Sequence, residues 1–248
     1  MKKTLKFFGY GIIGLLILGL GGFLVWASFP LGPEAGALES MASSQSVDYA
    51  EVNNWLVFTP NQITAQTGLI FYPGGRVDYR SYAPHAHDIA QEGFLVVVVP
   101  MPLNFAFFGV NRAEDVIEYF PNIETWAVGG HSLGGAMAAQ FAQTNRSMVG
   151  GLVLWAAYPA NSADLTTSDL KVISISASND DVASRVEIED SRERLPQDAV
   201  FFEIQGGNHA GFGWYGQQQG DGNLDIPKSA QQGQIVDLTA SFLRTLGQ

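Results

Sequence analysis

Between Trp126 and Ala142 the chain reads WAVGGHSLGGAMAAQFA. An apolar run of strand character stops at a pair of glycines. It resumes at once as a run of small residues with helical character. A chain accommodates that switch by turning sharply from a strand into a helix, and a single serine, Ser132, stands at the corner. Gly130 and Gly134 lie two residues to either side of it. Glycine at both places signals a backbone that approaches its neighbours too closely for a side chain. A serine placed for packing alone does not require this.

The surrounding sequence supplies more strands and helices in alternation. NWLVFTP and TGLIFYPGG read as strands, and YRSYAPHAHDIAQEG reads as a helix ending at Gly93 with Pro84 in its first turn. FLVVVVP is an uninterrupted apolar run, as expected of a parallel strand buried on both faces. NRAEDVIEYF follows as a helix with Asn111 as candidate N-cap and Glu114 three residues on. After the serine corner come strands at GLVLWAAY and KVISISAS and a helix at DVASRVEIEDSRERL. A strand at AVFFEIQGG and a closing helix at SAQQGQIVDLTASFLRTLG end the chain. Strand–helix alternation implies right-handed crossovers. The expected fold class is α/β, a mostly parallel central sheet with helices on both faces, over residues 47–248. Reactive groups in such sheets gather at the carboxyl ends of the strands. No connection is long enough to form a large lid.

Residues 1–30 are of another kind. Lys2, Lys3 and Lys6 precede a charge-free stretch from Phe7 to Phe29. As a helix it spans about 35 Å at about 1.5 Å per residue, enough for a hydrocarbon core of about 30 Å. Trp26 sits where aromatic rings favour the interface, and Pro30, Gly32 and Pro33 end the helix. A cleaved signal peptide is the runner-up reading: its apolar region is usually shorter, about 7 to 15 residues, and it ends in a small-x-small site, whereas here the run is longer and no good A-x-A site follows it. The expectation is one N-terminal transmembrane helix, an uncleaved signal anchor. With the lysines inside, the rest of the chain is extracytoplasmic at the cell membrane, single-pass. Residues 31–46, rich in Gly, Ala, Ser and Pro, read as a linker.

Charge and cysteine content narrow the functions. The formal net charge is -11. Setting aside the three anchor lysines leaves 10 basic against 24 acidic residues, or -14. That argues against a nucleic-acid partner, which needs basic patches. The chain has no cysteine, so disulfides, thiol nucleophiles and Cys-ligated metals are excluded. His85 and His87 point to different faces of their predicted helix, and no other metal-ligand pattern is present. No metal and no cofactor is expected.

Gly130-His131-Ser132-Leu133-Gly134 fits G-x-S-x-G in the strand–turn–helix setting of a nucleophile elbow. The helix beginning at Leu133 aims free N–H groups at the serine oxygen. A serine hydroxyl is a weak nucleophile at neutral pH and needs a base, which an acid must orient. Downstream of Ser132 the chain has one histidine, His209, after the strand AVFFEI. Asp180 is the first carboxylate beyond the strand KVISISAS. Its neighbour Asp181 is the alternative acid, or a cap for the helix nearby. An oxyanion hole needs the N–H of Leu133 and a second from an early loop. FYPGGR offers Gly75, with Arg76 as the neighbouring alternative.

On these motifs the sequence resembles the α/β-hydrolase superfamily from about Val47 to the C-terminus. It is most similar to small, lid-poor hydrolases of the dienelactone-hydrolase-like type. In that resemblance YPGG stands in place of the histidine–glycine pair common at the oxyanion loop. GHSLGG carries the nucleophile and GGNH the histidine, and SASNDD resembles the acid loop without its usual glycine. The resemblance implies hydrolysis of an ester or related acyl bond through an acyl-enzyme, without a cofactor. The implied substrate is a small-molecule or lipid-like acyl compound. Phe105, Phe107 and Trp214 are candidate pocket residues or core packing. An acyltransferase on the same fold, or an inactive surface binding module, are the rival readings.

Overall fold

A computed structural model of the chain describes residues 2–247 in backbone and 12–247 in side chain. Its strands are β1 (Val47–Val52), β2 (Trp55–Pro60), β3 (Thr67–Tyr72), β4 (Leu95–Val98), β5 (Thr125–His131), β6 (Gly151–Trp155), β7 (Lys171–Ala177) and β8 (Val200–Ile204). They form one eight-stranded sheet in the order β1-β2-β4-β3-β5-β6-β7-β8. Every pairing from β4 to β8 is parallel. β2 runs antiparallel to both β1 and β4.

The helices are α1 (Lys2–Ala27), α2 (Ala35–Glu39), α3 (Ala83–Gln91), α4 (Arg112–Tyr119), α5 (Leu133–Thr144), α6 (Arg185–Asp190) and α7 (Lys228–Leu246). Two cores result, one on each sheet face. Leu69 and Phe71 of β3, with Val96 and Val98 of β4, face α3 and α7. Ile70, Tyr72, Leu95 and Val97 face α4 and α5. Successive residues of a strand point to opposite faces, so burial on both faces demands the continuous apolar run seen at 94–99.

Several local features differ from expectation. VDYAEV forms the edge strand β1, which its half-exposed, charged pattern conceals. It pairs with β2 through Asn53 and Asn54, both left-handed at φ 53° and 66°. Asparagine tolerates that conformation, which a tight hairpin requires. The helix expected over 79–93 divides into a 3-10 turn, Tyr79–Tyr82, and α3, with Gly93 beyond it at φ +100°. Asn111 occupies the cap position of α4 but its side chain makes no capping bond. Asp181 is not the cap of α6. Ser184 is, in a reciprocal capping box with Glu187.

Residues 31–46, expected as a linker, lie against the domain. Leu31 bridges to Val77, Ala37 is fully buried, and Glu34 pairs with Lys228. α1 is continuous from Lys2 to Ala27. Part of the expected membrane span, Phe7–Gly11, falls outside the residues described in side chain. Among the described residues no helix is long and apolar enough to cross a membrane. The part of α1 so described, Ile12–Ala27, is about 24 Å long at about 1.5 Å per residue.

One buried group makes stability pH-dependent. His85 on α3 is buried against Trp155, and neither ring nitrogen has a protein partner among the described residues. Burial, then the nearby Lys228 charge, pushes its pKa down to about 3. The unfolded chain protonates His85 near pH 6.5, and the folded chain does not. Between these values the unfolded state holds the extra proton, so stability is complete above about pH 6.5 and falls as pH drops towards about 3. His131 is depressed too, by burial and then the His209 charge, and adds to the same trend. We expect the urea midpoint to fall between pH 6.5 and 4, and His85→Leu to flatten that fall. An unchanged pH slope in His85→Leu contradicts the assignment.

Candidate active site

Ser132 follows β5 and precedes α5, and its backbone sits at φ 53°, ψ -123°. Such a conformation costs a non-glycine residue on the order of 1–3 kcal/mol. Packing holds it there. A Cβ on Gly130 would lie 2.5 Å from the Gly134 carbonyl carbon, and one on Gly134 would lie 2.2 Å from the Tyr72 carbonyl oxygen. Ser132 N–H donates to Trp155 O at 2.9 Å, which ties the corner to β6. The Ser132 hydroxyl is half-buried and makes no hydrogen bond among the described residues.

His209 and Asp180 meet from different loops. Asp180 follows β7 and His209 follows β8. His209 Nδ1 lies 2.8 Å from Asp180 Oδ2, with both side chains buried. The other Asp180 oxygen accepts N–H bonds from Val182 (2.8 Å) and Ala183 (2.7 Å), which fixes the carboxylate. Asp181 beside it is exposed. The His209 ring packs 4.5 Å, centroid to centroid, from the ring of His131, the residue before Ser132. His209 Nε2 is buried and without a partner among the described residues. The arrangement therefore leaves His209 Nε2 uncommitted on a ring packed against His131, and leaves the hydroxyl of the next residue, Ser132, unbonded among the described residues. Catalytic hydrogen bonds of this kind often close only when substrate is bound.

The N–H groups around Ser132 differ in availability. Arg76 N–H is committed to Asn104 O at 2.7 Å, and Gly74 N–H to the Tyr82 hydroxyl at 3.0 Å. Between them Gly75 N–H donates to no protein acceptor among the described residues. Leu133 N–H, at the first position of α5, likewise donates to no protein acceptor among the described residues. The two are neighbours, since a Cβ on Gly75 would lie 3.1 Å from Leu133 Cδ2 and 3.8 Å from Phe105 Cδ1. Phe105 thus sits on the rim of this loop. Phe107 stacks on Phe105 at 5.1 Å and is 46% exposed. Trp214 lies elsewhere, beneath Gly36 of α2 with the Lys228 ammonium 4.9 Å from its ring centre. A cleft of about 750 Å³ beside Phe107 and Phe108 is bounded by α4 and α5 and includes neither Ser132 nor His209. Geometry outweighs size here: the serine corner, with the buried His209–Asp180 pair close by, is the candidate site.

Three contributors escape a sequence reading. Asp221 accepts N–H bonds from His209 (3.0 Å), Ala210 (2.8 Å) and Gly222 (2.8 Å), so it shapes the histidine loop. Gln231 of α7 clamps Asn208 by both its backbone groups. Tyr82 hydroxyl donates to His131 Nδ1 at 2.8 Å and accepts from Gly74 N–H. The GDGN run at Asp221 signals a turn, but nothing local says which loop it holds. Tyr82→Phe leaves two buried polar groups unpaired, at about 1–3 kcal/mol of stability. It also frees the loop that carries Gly75. We expect kcat to fall about tenfold with KM less affected, as befits a lost positioning contact in an oxyanion loop. An unchanged kcat removes Tyr82 from that role. Among the described residues no group of three His, Cys, Asp or Glu is placed to hold a metal.

A sequence-family model described as the alpha/beta hydrolase family matches residues 68–233. The chain belongs to the alpha/beta hydrolase family. It is therefore a hydrolase, and the serine corner, buried His–Asp pair and free N–H groups lie where such a fold carries its chemistry. A thermophilic esterase from the planctomycete Thermogutta terrifontis is similar in fold, with TM-score 0.60 and 12% identity. The match covers 82% of this chain and 93% of that one. Its propionate-bound form matches at TM-score 0.59 and 12% identity, over 82% and 95%. A predicted CIB-like hydrolase from Thermoplasma acidophilum matches at TM-score 0.56 and 15% identity, over 80% and 97%. At these identities the likeness is one of fold, and none of them singles out the dienelactone-hydrolase-like type. No curated protein sequence matches this α/β hydrolase.

Proposed function

We propose that this chain is a membrane-anchored serine esterase that works through an acyl-enzyme. The observation that carries the reading is the uncommitted Nε2 of a His209 held by Asp180, beside the strained Ser132 corner. His209 Nε2 takes the Ser132 proton as Oγ attacks the ester carbonyl. The oxyanion is held by the N–H groups of Gly75 and Leu133. As the intermediate collapses, the carbonyl re-forms, the carbon–oxygen bond to the alcohol breaks, and His209 returns the proton to the departing alkoxide. Water, deprotonated by His209, then attacks the acyl-serine. The acid leaves, and Ser132 recovers its proton. Asp180 holds His209 with its proton on Nδ1. The similar esterase solved with propionate, a short carboxylate, supports an acyl substrate.

The anchor reading is drawn from residues 1–30. The stretch 7–29 carries no charge, α1 is continuous from Lys2 to Ala27, and Leu15, Leu16, Ile17 and Leu18 are all exposed. A helix that is apolar all round suits a lipid environment. Lys2, Lys3 and Lys6 hold its start in the cytoplasm and leave residues 47–248 outside.

The test is turnover of p-nitrophenyl acetate and butyrate by the full chain in detergent. We expect free acid as the product. Transfer of the acyl group to an added alcohol in preference to water indicates a transferase, and no turnover by folded protein overturns the reading.

A further inference from the structure

The end of α1 is built into the rim of the serine site. Phe23 and Trp26 pack on Phe105 at 6.1 and 5.9 Å, and Phe105 borders Gly75. The Arg76 guanidinium lies 3.9 Å over the Trp26 ring and donates to Phe29 O at 2.7 Å. Asn104 donates to Ala27 O at 2.9 Å. Leu31 donates to Arg76 O and accepts from Asp78 N–H. The chain between helix and domain therefore has no slack. Ala27, Phe29 and Leu31 are each bonded to the loops that frame Gly75.

We infer that the mouth of the site rests on the bilayer surface and that its substrate is an acyl ester already resident in that bilayer. The inference rests on the anchor and esterase readings above. Trp26 marks the interfacial end of the apolar helix, where indole rings prefer to lie. Because Trp26 touches both Arg76 and Phe105, the oxyanion loop is held at the same depth. The surface continuing outward from Phe105 is apolar. Phe107 is 46% and Phe108 49% exposed, their rings in tilted contact at 4.4 Å, and Phe29 at the helix end is 70% exposed. The stretch 101–111 carries no charge, although the body is strongly acidic. Exposed aromatic rings that are continuous with a membrane helix are covered by the interface it enters. An acyl chain in the bilayer reaches Ser132 across Phe105 and Phe107 without crossing water.

The absence of cysteine permits clean single-site labelling. Leu16→Cys, Phe108→Cys and, as a remote exposed control, Val186→Cys are each labelled with bimane in the full chain. The proteins are reconstituted in phosphatidylcholine vesicles carrying shallow or deep doxyl groups. We expect position 16 to be quenched by deep doxyl, position 108 by shallow doxyl, and position 186 by neither. In parallel, turnover of a long-chain umbelliferyl ester in the vesicles is divided by turnover of dissolved p-nitrophenyl butyrate. Removing two interfacial phenyl groups in Phe29→Ser/Phe108→Ser lowers that ratio about tenfold, since each buried ring favours the interface. Quenching at 16 without quenching at 108, or an unchanged ratio, overturns the inference and leaves the anchor in place. No quenching at 16 overturns the anchor reading and the inference with it. No turnover of either ester by folded protein overturns the esterase reading instead.

Discussion

Ser132→Ala will lower ester turnover by about 10⁴- to 10⁶-fold while the protein melts at nearly the same temperature. The size follows from what is removed. In the proposed mechanism, no acyl-enzyme forms without Oγ, and only positioning and the oxyanion donors remain. Ser132 Oγ makes no hydrogen bond among the described residues, so its loss orphans no partner. The corner is imposed by Gly130, Gly134 and the bond from Ser132 N–H to Trp155 O, none of which alanine disturbs. Steady-state kinetics and a thermal melt on the same preparation decide it. Residual turnover within tenfold of the parent removes Ser132 from the reaction.

Asp180→Asn is expected to cost about 10⁴-fold in kcat, with KM within a few-fold of the parent. The side chain is buried and spends one oxygen on the N–H groups of Val182 and Ala183. In the asparagine variant the carbonyl oxygen keeps those bonds and the NH₂ group turns to His209 Nδ1. That nitrogen must then accept, so the ring proton moves to Nε2, where a lone pair is needed to receive the Ser132 proton. Asp181→Asn leaves turnover within about twofold, as for an ordinary exposed substitution. Reversed outcomes in the two variants assign the acid to Asp181.

Particular residues show what a sequence reveals here and what it hides. The serine corner is legible because its requirements are local: glycine is needed where a Cβ would lie within 2.6 Å of Tyr72 O or of the Gly134 backbone. The sheet is legible because burial on both faces leaves an unbroken apolar run at 94–99. β1 is hidden, since an edge strand has one wet face and reads VDYAEV. The cap of α6 moved from Asp181 to Ser184 because Ser184 alone stands three residues before a glutamate that answers it. Asp221, Gln231 and Tyr82 are hidden for a deeper reason. Each acts on a loop distant in sequence, and no spacing rule connects Tyr82 to Gly74 and His131. Which of the Gly75 and Arg76 N–H groups is left free also needed three dimensions. It turns on Asn104 O, held by a left-handed turn at Leu103 and Asn104, which takes up the Arg76 N–H. The linker reading of 31–46 failed to see that small residues pack as well as they flex. Gly36 admits the Trp214 ring, and Ala37 is buried.

The most direct measurement is the site of covalent capture by a fluorophosphonate. The full chain in detergent is treated with the probe, its intact mass is recorded, and the modified peptide is sequenced by mass spectrometry. The account predicts a single adduct on Ser132, absent from Ser132→Ala and slowed in Asp180→Asn. Folded protein that stays unmodified, or carries its adduct on another residue, contradicts it.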